Sequence, residues 1–139
     1  MNYKKKLNMS NVVVILAGIC ACIVGYIMLK GVLLVSSKDN QIKVVCIKGL
    51  ENSSKDCHIT LEEGQKLVAV SNMKSGTVKV IINKEDGSAG IADLFSGEEK
   101  YQYNLPAGEY KGECTVVEDK TDGTLIIQAI PVDEKIRHN

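Results

Sequence analysis

Residues 12–29 (VVVILAGICACIVGYIML) run for eighteen positions without a charged side chain, and this stretch constrains the chain more than any other. A bilayer core about 30 Å thick is crossed by about 20 helical residues rising 1.5 Å each. After Lys30 the apolar run resumes over residues 31–35, and a lysine at that point can carry its ammonium to a headgroup layer while its stem stays apolar. The sequence therefore predicts one N-terminal transmembrane helix over residues 12–35. A basic tail, residues 1–11, precedes it with Lys4, Lys5, Lys6 and no acid. Lysines flank both ends, since Lys30, Lys38 and Lys43 follow. Counting charge favours a cytoplasmic N terminus by a small margin, and a strand-built C-terminal module suits export. The expectation is a single-pass cell-membrane protein with its domain outside the cytoplasm.

The anchor itself admits three fates. A lysine-led apolar segment also begins a secretory signal, but this run exceeds the usual 7–15 residues and no A-x-A pattern follows it. Gly18-Ile19-Cys20-Ala21-Cys22 has the outline of a lipobox, which makes Cys22 the candidate for lipidation and the new N terminus. The residues after Cys22 stay apolar, which favours a retained helix. Gly18, Ala21 and Gly25 lie three to four apart and give a small-residue face on which a partner helix can pack.

About a hundred residues remain beyond the anchor, enough for one domain. Residues 36–41 are polar and read as a tether, residues 42–131 as the domain, and residues 132–139 as a flexible tail. Runs of four to seven β-branched or alternating residues recur about every ten positions, with turn signals between them. In residues 77–83 (TVKVIIN), Val78, Val80 and Ile82 share one face while Lys79 takes the other. Glu85-Asp86-Gly87 is a hairpin signal, because glycine supplies the positive φ such turns need. Pro131 ends the last run, having no N–H for a ladder. Eight such strands, with no helical period of any length, predict an all-β domain, an antiparallel β-sandwich or jelly roll.

Ile59-Thr60-Leu61-Glu62-Glu63-Gly64, the run from Ser75 to Val80, Glu85-Asp86-Gly87 and Leu105-Pro106-Ala107-Gly108-Glu109-Tyr110 together resemble exported bacterial β-sandwich modules of the jelly-roll type. The resemblance covers about seventy residues. It implies anchoring, adhesion or accessory roles and carries no catalytic residues.

Seventeen basic and seventeen acidic residues leave no net charge, and no basic face stands out to meet a phosphate backbone, so nucleic acid is not an expected partner. The two histidines, His58 and His138, are too few for a zinc site or a hydrolase centre, and no metal or cofactor is expected. Asn83, Glu85 and Asp86 crowd one turn that reads as a polar hairpin, with a calcium loop as the alternative. Cys46, Cys57 and Cys114 all fall on apolar strand phases. Cys57 and Cys114 are the pair expected to bridge across the sandwich in an oxidising compartment, with buried free thiols as the alternative. These observations predict a membrane-anchored binding or structural module without catalytic activity. Its partners are membrane lipid and another protein, an envelope polymer or a second copy. The alternatives are an accessory subunit that uses its helix as interface and a lipoprotein lipidated at Cys22.

Overall fold

The structure, a computed structural model, describes residues 9–38 and 40–132, with side-chain surroundings in the helix described over residues 13–23. Two units divide the chain after Lys30. The first contains helix α1 (Met9–Lys30). The side chains described in it, Val13 to Ile23, are all exposed. Glycine ends the helix, since Gly31 sits at φ +68°, the left-handed conformation that closes many helices and that glycine enters without a Cβ penalty.

The second unit holds nine strands: β1 (Val32–Lys38), β2 (Gln41–Gly49), β3 (Ser54–Leu61), β4 (Gln65–Ser75), β5 (Val78–Lys84), β6 (Gly90–Phe95), β7 (Glu98–Tyr103), β8 (Gly108–Val116) and β9 (Thr121–Pro131). They form two antiparallel sheets, one in the order β1-β2-β9-β4-β7 and the other β3-β8-β5-β6. The domain is an all-β sandwich. Only the β1–β2 and β5–β6 connections stay within a sheet, and every other connection crosses to the opposite layer. Most strands adjacent in sequence therefore belong to opposite layers of the core.

Alternation at period two fills that core. Ile42 and Val44 from β2, Leu67 and Ala69 from β4, and Leu125 and Ile127 from β9 point inward from one sheet. Ile59, Val80, Ile82, Tyr110 and Val116 meet them from the other. Burying a side chain of this size contributes on the order of 1.5–3 kcal/mol. Tyr110 is fully buried and donates its hydroxyl hydrogen to the Pro106 carbonyl at 2.6 Å, which satisfies the one polar atom it brings inside.

Three expectations change. Eight strands become nine, because residues 32–38, expected as the end of a membrane span and the start of a tether, pair with β2 from Val32↔Ile47 to Lys38↔Gln41. The apolar Val-Leu-Leu-Val run joins the sandwich: Leu33 is buried and Val35 packs against the core. The helix accordingly stops at Lys30 instead of Val35. Among the described residues, no helix is long and apolar enough to cross a membrane. The expected flexible tail, apart from Val132, and the first eight residues of the expected basic tail lie outside the described residues.

Candidate functional site

The two outer faces of the sandwich differ in chemistry. On the four-stranded sheet the outward positions of β3 and β8 carry Asp56, His58 and Thr60 against Glu113, Lys111 and Glu109. β3 and β8 thus present the polar exterior that an antiparallel sheet normally turns to water, while Ile81 and Leu94 are exposed on β5 and β6 of the same sheet. On the five-stranded sheet, Leu34 pairs with Val45 and Val32 with Ile47. Further along, Ile126 lies between Lys43 and Val70. Leu34, Ile47 and Val70 are 57%, 43% and 44% exposed. Apolar side chains thus run across β1, β2, β9 and β4 on the face that should be polar, and a contiguous exposed apolar patch marks a contact surface.

A hollow of about 460 Å³ opens in this face, lined by Val45, Ile47, Asn72, Lys74, Asp122 and Gly123 among others. Two ladder irregularities make it, one between Cys46 and Gly49 on β2 and one between Met73 and Ser75 on β4, both opposite the start of β9. Gly123 lies at φ +144°, and a Cβ there would fall 2.5 Å from the Met73 Cα. Only glycine fits this close approach, and its missing side chain leaves the floor of the hollow bare. At the rim, the Lys48 backbone N–H donates to Asp122 Oδ1 at 2.8 Å, and Lys48 itself adopts φ +47°. Cys46 borders the hollow from the buried side, and burial, with the Asp122 charge adding to it, pushes its thiol up to about 11. A thiol held protonated is a packing group at neutral pH.

Cys57 and Cys114 do come together, but not across the sandwich. They occupy neighbouring strands of one sheet, β3 and β8, where Cys57 faces Gly112 and Cys114 faces Lys55, so the two thiols meet on the diagonal. Both are buried and free. Because β3 and β8 are hydrogen-bonded neighbours within one layer, the expected cross-layer geometry fails. The expected helix-packing face is less defined. Gly18 has open space around it and Ala21 is exposed, while Gly25 lies outside the residues whose surroundings are described. Cys22 is a free, exposed thiol on α1.

The turn that carries Asn83, Glu85 and Asp86 uses its oxygens internally. Asp86 Oδ1 accepts the Ser88 N–H at 2.9 Å and the Ser88 hydroxyl at 2.6 Å, and these bonds hold its carboxyl below the ordinary range. Glu85 faces Lys111 at 3.4 Å. His58 is exposed beside a shallow hollow of about 360 Å³ with Thr60, Glu109 and Lys111, and its backbone N–H donates to Ser37 Oγ at 3.1 Å. The apolar outer face is built from valine, leucine and isoleucine, which carry no catalytic or metal-binding chemistry. The signal was present as apolar residues on the wrong strand phase: Val45 and Ile47 in β2, Val70 in β4, Ile126 in β9.

No family model matches the chain, and no curated protein matches it. Among solved structures, the capsular polysaccharide assembling protein CapF from Staphylococcus aureus is 17% identical, with a TM-score of 0.40, over 70% of this chain and 28% of its own. Oxalate decarboxylase from Bacillus subtilis is 14% identical, with a TM-score of 0.38, over 73% and 26%. An oxalate oxidase is 13% identical, with a TM-score of 0.40, over 66% and 41%. The chain thus spans well under half the length of these proteins. They correct one expectation, that of a binding or structural module without catalytic activity. Two of these structures, the oxalate decarboxylase and the oxalate oxidase, are enzymes by name. At these scores no activity passes from them to this chain.

Proposed function

We propose that the chain carries its sandwich at the outer face of a cell membrane and pairs there with a second copy through the outer face of the five-stranded sheet. The observation behind the pairing is the apolar run Leu34, Val45, Ile126 and Val70, exposed at Leu34 and Val70 and half-buried between them, which crosses four strands, whereas the other sheet is polar over β3 and β8 and exposes Ile81 and Leu94 on β5 and β6. The arrangement of charge favours a second copy over an unrelated protein. Lys66 lies opposite Ile130 at one end of β4, whereas toward its other end Glu98 lies opposite Asn72 and Asp122 opposite Ser75, two carboxylates against the single Lys74 beside them. A two-fold axis that reverses the strand direction brings the lysine end of one copy over the aspartate end of the other, as an isologous interface requires. The membrane placement is supported by residues 12–29, eighteen positions without a charged side chain. The lysines at positions 4–6 support a cytoplasmic N terminus.

The pairing is tested on the full-length chain in membranes by chemical cross-linking, with Val70→Lys and Ile126→Lys against Ile81→Lys on the other sheet. The first two are expected to abolish a cross-linked dimer that the third retains. A wild-type chain that never cross-links, or one equally lost in Ile81→Lys, overturns the pairing. Protease added to intact cells tests placement separately: digestion of the sandwich is expected, and protection until lysis overturns it.

A further inference from the structure

We infer that Cys57 and Cys114 form a dithiol that a disulfide reagent oxidises to a cross-link between β3 and β8, with Cys46 left out. The inference is independent of the membrane placement proposed above. Its ground is position. Cys57 and Cys114 lie on the same inner face of adjacent antiparallel strands, offset by one diagonal step, and both are almost fully buried. Diagonal neighbours on a strand pair have Cα atoms about 7–8 Å apart and Cβ atoms somewhat closer, at the outer limit of disulfide reach, so the bridge closes when β3 shifts at its open edge. Cys46 sits on β2 in the opposite sheet. Facing sheets pack about 10 Å apart, whereas a disulfide usually joins Cα atoms about 4.4–6.8 Å apart.

The topology also supplies an order of events. Among the described residues β3 is an edge strand paired with β8 alone, so opening one edge exposes Cys57, while Cys114 lies on a strand held from both sides by β3 and β5. Accepting the Cys114 hydrogen bond holds the Cys57 thiol below its ordinary range, and Cys114 is driven above it by that bond and by burial. Cys57 is therefore the entering nucleophile. Its thiolate attacks one sulfur of an external disulfide, that S–S bond breaks, and one thiolate leaves and takes up a proton. Cys114 then gives up its proton and attacks the Cys57 sulfur of the mixed disulfide, expelling the second thiolate. The pair loses two protons and two electrons, and the external disulfide becomes two thiols.

The test uses the full-length chain in detergent, incubated with oxidised glutathione in denaturant below the unfolding transition. Remaining thiols are then blocked after denaturation, and the chain is digested without reduction for peptide mapping. A peptide pair joining Cys57 to Cys114, with Cys46 recovered as blocked thiol, is the expected result. A Cys46→Ala variant is expected to form the same link. Recovery of Cys57 and Cys114 as blocked thiols while Cys20 or Cys22 is oxidised overturns the inference, as does any link that includes Cys46.

Discussion

Tyr103 on β7 donates its hydroxyl hydrogen to Asp93 Oδ2 on β6 at 2.6 Å, joining the outer edge of one sheet to the outer edge of the other. Beside it, Phe95 and Tyr101 meet edge to face with centroids 5.7 Å apart. The β6–β7 side of the sandwich, where neither edge strand has a further partner, is therefore closed by side chains instead of a ladder.

That link makes stability sensitive to alkali. Burial, the bond to Asp93 and the Asp93 charge all push the Tyr103 hydroxyl above the ordinary tyrosine range. A raised pKa in the folded state stabilises the fold fully below the unfolded value of about 10, and that stabilisation is lost as pH rises beyond it. Tyr103→Phe is expected to cost about 1–1.5 kcal/mol at neutral pH, the net worth of one hydrogen bond. It is also expected to flatten the stability profile above pH 10. Urea midpoints for both proteins across pH 7–11 check this, and parallel profiles count against it.

Two glycines should respond to alanine very differently. A Cβ on Gly112 falls 1.7 Å from the Ile81 carbonyl oxygen on the neighbouring strand, a backbone atom that moves only with β5. Gly64 has φ +78° but open space around it. Gly112→Ala is expected to cost about 3 kcal/mol or more through overpacking, and Gly64→Ala about 1 kcal/mol for the left-handed backbone alone. Equal denaturant midpoints would refute the distinction.

All eight strands expected from alternation and turn chemistry are present, and Val78, Val80 and Ile82 are buried while Lys79 faces out. The ninth, β1, was hidden because Leu33 and Leu34 are equally apolar whether they belong to a helix or a strand, and the preceding residues carry the helical run into them. Gly31 was the mark of the boundary, a glycine placed where a helix closes and β1 begins. β3 begins in residues with no apolar alternation: Ser54, Lys55 and Asp56 are polar, yet they pair with Thr115, Cys114 and Glu113 because an exposed edge strand tolerates them. The Cys57–Cys114 pair was legible as two apolar-phase thiols. Its placement within one sheet was not, since strand order is set by long-range pairing that leaves no local trace.

Tyr110 combines a buried ring with one satisfied hydroxyl. Removing only the oxygen leaves the Pro106 carbonyl without that partner at the turn leading into β8. Tyr110→Phe is expected to lower stability by about 1–2 kcal/mol, and Tyr110→Leu to lower it further by opening a void. Thermal unfolding of both variants measures the order, and a Phe variant as stable as wild type removes the role assigned to this hydrogen bond.

Cys46 offers a direct reading of the hollow on the five-stranded sheet. With its thiol pushed up to about 11, the thiolate fraction at pH 8 is about one in a thousand. Alkylation by iodoacetamide in the folded chain is therefore expected to be slow, and to rise about tenfold per pH unit until the fold itself yields. Because burial is the larger cause and the Asp122 charge the smaller, Asp122→Asn is expected to speed labelling only modestly. Asparagine can still accept the Lys48 N–H through its oxygen, so the rim geometry is kept. Rates followed by mass spectrometry from pH 7 to 9 separate the two causes. Fast labelling of Cys46 in the folded wild-type chain would show that the floor of the hollow opens to solvent, and a large acceleration in Asp122→Asn would show that the carboxylate, more than burial, keeps the thiol protonated.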